Sequence, residues 1–244
     1  MTGQTGRLAG RLALITGASR GLGAAVAKRF AAEGARTVLV ARTVGGLEEV
    51  DDVVRAGGRS ATLVPFDLTD FDAIDRLGQS LYERFGRLDV LVGNAGMLGT
   101  LSPVGHIRPA EWAEVINLNL TANWRLLRSL DPLLRASDSG RVIFVTADLA
   151  RAPKAFWGAY AASKAGLEAL VRVYADEVAR TPIRVNLIDP GPLRTALRAR
   201  AFPGERPESV PAPESVTDAF VALAESGCVT HGATIELGGA VARG

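Results

Sequence analysis

With 244 residues, 48% of them apolar and 22% charged, the chain is long enough for one α/β sheet domain with a large core, which excludes a disordered or fibrous protein. A formal net charge of +2 offers no basic footprint for nucleic acid, and no apolar run reaches the ~18 residues that a membrane span needs. The single cysteine, Cys228, rules out an intrachain disulfide and suits a reducing, cytoplasmic setting, and the stretch from Met1 to Arg7 lacks the apolar segment of a secretory signal.

In chain order, strand candidates lie at 12–16, 37–41, 61–65, 89–93, 141–146, 183–189 and 233–237. Each is a continuous apolar run rather than an alternation, the pattern of strands buried on both faces. Helix-length segments at 21–34, 71–85, 109–135 and 158–180 separate them. This order predicts a single-domain, Rossmann-type doubly wound parallel sheet with helices on both faces, spanning 1–244. The Pro-rich stretch 202–213 follows the sixth strand and reads as part of a substrate-side loop or lid over 193–213.

Between the first strand and first helix stands Thr16-Gly17-Ala18-Ser19-Arg20-Gly21-Leu22-Gly23. Gly17 permits the tight turn, while Gly21 and Gly23 let backbone approach a pyrophosphate and let the helix pack on the sheet. Ser19, Arg20 and Leu22 complete the turn, and the helix N-terminus directs free N–H groups and a positive dipole end at the phosphates. The same residues also read as G-x-S-x-G, the elbow of a serine hydrolase with Ser19 as nucleophile. That rival needs His106 or His231 with Asp189 as acid, and it leaves Gly23, Tyr160 and Lys164 without a role.

The second strand ends in Ala41-Arg42, where an acid would grip the ribose of NAD. Arg42 with Arg20 suits a 2′-phosphate instead, so NADP(H) is favoured over NAD(H); the plainer reading is two solvated arginines. In Asp67-Leu68-Thr69-Asp70, Asp67 either reaches the adenine amino group or caps the next helix. Tyr160 and Lys164 form Y-x-x-x-K, and residues four apart share one helix face. That pair is the signature of a nicotinamide-dependent oxidoreductase.

Together these motifs resemble the short-chain dehydrogenase/reductase family over about Gly10 to Gly239. Thr16–Gly23 matches its glycine motif, and Gly93-Asn94-Ala95-Gly96 matches N-N-A-G with Gly93 for the first Asn. Asn119 matches the Asn of the central helix, Tyr160 to Lys164 the Y-x-x-x-K, Asp189-Pro190-Gly191-Pro192 with Thr195 the P-G motif, and Gly238-Gly239 the terminal pair. Phe156 to Tyr160 and Arg194 to Pro203 further resemble the YciK-type subgroup of bacterial oxidoreductases. The resemblance implies a small-molecule carbonyl or alcohol substrate, with Asn94, Ala95, Gly96, Pro190, Gly191 and Thr195 holding the cofactor and no metal. Tyr160 would exchange a proton with the substrate oxygen. Lys164 would hold the nicotinamide ribose and, with the positive nicotinamide, draw Tyr160 toward neutrality from its ordinary pKa near ~10. Asn119 would anchor a proton-relaying water. A homodimer or homotetramer is implied through the long central helices, with Leu167, Leu170, Val171 and Tyr174 either making that contact or facing the sheet.

The family's hydroxyl donor to the substrate oxygen is replaced by Ala147, in Val145-Thr146-Ala147-Asp148-Leu149. Losing one such donor costs about 10²–10³ in rate. Thr146 and Asp148 are neighbours in the chain, but adjacent strand residues point to opposite faces, and an ionised Asp148 would raise the Tyr160 pKa. The sequence thus predicts a working but atypical oxidoreductase, with an NADP-binding protein of little or no turnover as the alternative. The substrate would lie among 97–103, 149–157 and 193–213, where Phe156, Trp157 and Phe202 form an apolar wall or serve packing. Arg151, Arg194, Arg198 and Arg200 either attract an anion or form a solvated face.

Overall fold

The computed structural model describes residues 6–238; Met1 to Thr5, and Gly239 of the terminal glycine pair, lie outside the described residues. Seven strands, β1 (Leu12–Thr16), β2 (Arg36–Ala41), β3 (Thr62–Pro65), β4 (Val90–Gly93), β5 (Arg141–Val145), β6 (Arg184–Asp189) and β7 (Thr234–Glu236), form one sheet. Its order is β3-β2-β1-β4-β5-β6-β7 and every pairing is parallel. All seven coincide with the runs read from the sequence; the five inner strands are almost wholly buried, as apolarity on both faces requires, while the edge strands β3 and β7 stay partly exposed.

Helices α1 (Gly21–Ala32), α2 (Val44–Ala56) and α8 (Thr217–Ala224) cover one face, around Phe30, Leu47 and Phe220. On the other face lie α3 (Phe71–Phe85), α5 (Ala122–Arg135) and α6 (Gly158–Val178), packed through Ile74, Leu126, Leu130, Leu167 and Val171. Leu167, Val171 and Tyr174 are buried in that core, and Leu170 packs against it, so these four face the sheet. The outer surfaces of α5 and α6 instead expose Trp124 and Val173.

The segment 109–135 is not one helix. It divides into α4 (Pro109–Ile116), a single π-helical turn at Asn117–Thr121, and α5. The π turn carries Asn119, fully buried, toward the sheet end. Asp70, not Asp67, caps α3 by accepting from Ala73 N at 3.0 Å. The 193–213 region contains α7 (Ala196–Ala201). Strand order reverses between β1 and β4, which opens a crevice beyond their carboxyl ends.

Candidate active site

The cofactor-binding and Tyr160–Lys164–Asn119 candidates lie beyond the carboxyl end of a strand or on a helix that borders that edge. At the β1–α1 turn, Gly17 and Gly21 have φ of 64° and 54°, values open to glycine at little cost. A Cβ on Gly23 would overlap the Gly17 carbonyl. Asn94 pins the turn from β4: its Nδ2 donates to Thr16 O at 2.9 Å, while Asn94 N and Ala95 N donate to Thr16 Oγ1 at 3.0 and 3.1 Å. Helix α1 has Arg20 at its N-cap, with no side-chain cap and no acid in its first turn. Its leading N–H groups and dipole are therefore left for an external anion, and Ser19, Gly21 and Leu22 surround them. A Cβ at Gly21 would lie 3.4 Å from Thr195 Cγ2, so the turn meets the loop after β6. These features fit the pyrophosphate of a dinucleotide.

Arg42 has a side chain 70% exposed and pairs with Asp67 at 3.4 Å. Asp67 uses its other oxygen to accept from Thr69 N at 2.9 Å and Thr69 Oγ1 at 2.8 Å. Leu68 is buried in the sheet core, so its side chain is structural. Beyond β6, Gly191 has φ of 68° and its Cα packs on the backbone of Gly238. Pro190 and Gly191 leave the sheet here, followed by Thr195, which caps α7 through Arg198 N at 3.2 Å.

Tyr160, Lys164 and Asn119 come together. Lys164 is buried, donates from Nζ to Val145 O at 2.8 Å, and lies 5.9 Å from the centre of the Tyr160 ring. Asn119 Nδ2 donates to Met97 O (2.9 Å) and Ser163 Oγ (3.0 Å), and its Oδ1 accepts from Met97 N at 2.8 Å. Ser163 in turn donates to Tyr160 O at 2.7 Å. A Cβ on Gly96 would sit 3.3 Å from Asn119 Oδ1 and 3.7 Å from Lys164 Nζ, so the β4 loop closes on the same group. The role of Ser163 had no sequence signal; only the fold shows that it links the π turn to α6.

Burial lowers Lys164 to about 8 from 10.5, with Asp189 opposing. Tyr160 is pushed well above its ordinary value, first by burial, then by the charges of Asp189 and Asp148. Without the positive nicotinamide, burial and these two carboxylates hold Tyr160 as a phenol. Among the described residues the Tyr160 hydroxyl has no hydrogen-bond partner.

Ala147 packs into a small apolar cluster with Tyr160, Leu98, Leu149, Trp157 and Leu197. Of its chain neighbours, Thr146 donates from Oγ1 to Glu168 at 2.8 Å, and Asp148 is exposed. Trp157 packs at 5.8 Å on Phe202 and 5.9 Å on Tyr160. Phe156 is 56% exposed and holds a φ of 74°. Arg198 stacks on Phe202 at 3.8 Å and pairs with Glu205 at 2.6 Å, whereas Arg194 and Arg200 are exposed. Arg151 is not a free anion attractor, for it pairs with Asp189 at 2.7 Å, although its side chain stays 30% exposed.

Two of the residues that the hydrolase reading calls on are engaged elsewhere. His231 is held by Val185 N at 3.1 Å and Ala175 O at 3.0 Å, near the start of β6 and so at the opposite sheet edge from Ser19, while Asp189 is engaged by Arg151. Among the described residues no cluster of His, Cys, Asp and Glu is placed to hold a metal, and no helix is long and apolar enough to cross a membrane.

A doubly wound sheet with a glycine turn at its switch point and a buried Tyr–Lys pair beside it defines an oxidoreductase of the dinucleotide-binding kind. The chain belongs to the short chain dehydrogenase family, whose model matches residues 11–206. It is 36% identical over 216 residues to the oxidoreductase YciK of Escherichia coli K12, covering 87% of this chain and 85% of YciK. A short chain dehydrogenase of Shigella flexneri complexed with NADP superposes with a TM-score of 0.91 at 35% identity, covering 94% of this chain and 98% of that one. One from Escherichia coli CFT073 complexed with NADPH gives 0.90 at 35%, over 94% and 97%.

Proposed function

We propose that the chain is an NADP(H)-dependent reductase or dehydrogenase of small carbonyl or alcohol compounds, atypical because Ala147 stands where a hydroxyl donor is expected. The observation that carries this reading is the unpartnered Tyr160 hydroxyl beside Lys164, next to the uncapped glycine turn. Arg20 and Arg42 would meet the 2′-phosphate, since β2 ends in Ala41 rather than an acid, and the relatives crystallised with NADP and NADPH support the same choice. Ser19, Gly21, Leu22, Asn94, Ala95, Pro190, Gly191 and Thr195 would hold the rest of the cofactor, with Asp67 toward the adenine.

When bound, the nicotinamide supplies or accepts the hydride. Tyr160 donates its proton to a carbonyl oxygen in reduction and takes one back in oxidation. Lys164, fixed by Val145 O, holds the ribose hydroxyls with its remaining donors. Asn119, fixed by Met97 and Ser163, anchors the water that brings protons to Lys164. The apolar wall of Leu98, Leu149 and Trp157 favours carbonyls with an apolar flank. A second copy would dock on the outer faces of α5 and α6 at Trp124 and Val173, giving a homodimer or homotetramer in the cytoplasm.

Ala147 favours one second reading, an NADP-binding protein with little turnover. Fluorescence titration with NADPH and NADH, run beside a carbonyl turnover screen, separates the two. We expect tighter binding of NADPH, and Tyr160→Phe should lower turnover by about 10²–10⁴ with cofactor affinity unchanged. Binding without turnover across the screen selects the second reading; binding of neither cofactor overturns both.

A further inference from the structure

Behind the Tyr160–Lys164 pair lies a set of charges that the proposed reaction does not use. Glu168, one turn beyond Lys164 on α6, is buried and accepts from Thr146 Oγ1 at 2.8 Å, from Arg172 at 2.6 Å and from Arg151. Asp189, buried at the end of β6, accepts from Arg151 Nη2 at 2.7 Å and from Gly191 N at 3.1 Å. Arg151 also reaches Glu236 on β7 at 3.2 Å. One guanidinium, on the turn that follows Ala147, therefore joins the helix of Tyr160 and Lys164 to the strand end that launches Pro190 and Gly191.

A buried carboxylate without a partner is costly, and its field is poorly screened. Asp189 bears on both members of the pair, favouring the protonated form of each. The charged groups around Tyr160 are Lys164 on its own helix, Asp148 from the turn after β5 and Asp189 from β6. Helix α7 brings Arg198, which is already held by Glu205. Asp148 is exposed and solvent weakens its effect, so Asp189 is the group whose neutralisation matters.

We propose that Arg151 is a positioning residue: it clamps α6 to the Pro190–Gly191 turn and shields Tyr160 from the charge of Asp189. This rests on the reading of Tyr160 as the proton carrier. A guanidinium suits the task because its planar fork serves two carboxylates at once and stays charged.

The test is a tyrosinate absorbance titration of the NADP⁺-saturated protein. The chain has three tyrosines, and subtracting the titration of Tyr160→Phe isolates Tyr160. Asp189→Asn should weaken proton binding by Tyr160 about tenfold, and Arg151→Met should tighten it about tenfold. The double variant should return near wild type, as should Arg151→Lys, which keeps the charge. A merely structural clamp would lower stability without moving these midpoints. Folded variants that bind NADP⁺ normally and titrate as wild type overturn the proposal. Should Arg151→Met not fold, Asp189→Asn decides: an unmoved midpoint overturns it. A wild type that fails to bind NADP⁺ overturns the functional reading itself, and the shielding proposal with it.

Discussion

In the proposed reaction, Ala147 is the residue on which the chemistry turns. Its backbone is extended, with φ of −154° and ψ of 156°, and its methyl lies in the cluster that includes Tyr160. A hydroxyl added there would enter the site without disturbing the strand. Ala147→Ser should therefore raise kcat by up to about 10²–10³, with NADPH affinity unchanged, in steady-state assays on whichever carbonyl the screen identifies. Activity appearing in an otherwise silent protein would show that this chain had kept the cofactor site and lost the donor. The deficit was legible in the sequence because a motif specifies residue type at fixed spacing. That the Thr146 hydroxyl is engaged elsewhere was decided by its bond to Glu168, a residue distant in sequence and on another element.

At the scale of elements, the second departure from the family pattern has a packing cause. Gly93 ends β4 and is in register with Phe144 on β5. A Cβ at Gly93 would overlap the Phe144 ring and lie 3.0 Å from Asn123 Oδ1. Phe144 is fully buried, so the ring has nowhere to move. Restoring the family residue with Gly93→Asn should cost about 1–3 kcal/mol in denaturant unfolding, and Phe144→Val should recover part of that loss. An unchanged midpoint for Gly93→Asn would remove this explanation. Periodicity located β4 and β5 in the sequence, but it carries no information about which side chain of one strand crosses which position of the next. The π turn was hidden for a similar reason. Residues 109–135 have the composition of one helix, and the extra residue per turn is stabilised by the bonds of Asn119 to Met97 and Ser163.

For the molecule as a whole, burying Lys164 has a consequence for stability against pH. In the folded protein without cofactor it loses its proton near pH 8, whereas unfolded it keeps it to about 10.5. Between these values the unfolded state binds more protons, so this group makes stability rise with pH. In paired denaturation series across that window, the stability of wild type relative to Lys164→Met should increase as pH rises. A constant difference would show that Lys164 titrates normally. The sequence by itself determined the doubly wound sheet, all seven strands, the glycine turn and the Tyr160–Lys164 pair. These are encoded locally, by runs of apolar residues, by glycines at fixed offsets and by spacing on one helix face. Tertiary structure alone decided that Ser163 braces Asn119, that Gly93 yields to Phe144, and that Arg151 joins Glu168 to Asp189. Those relations lie between side chains far apart in the chain, where distance, burial and unscreened charge are set only once the elements have packed.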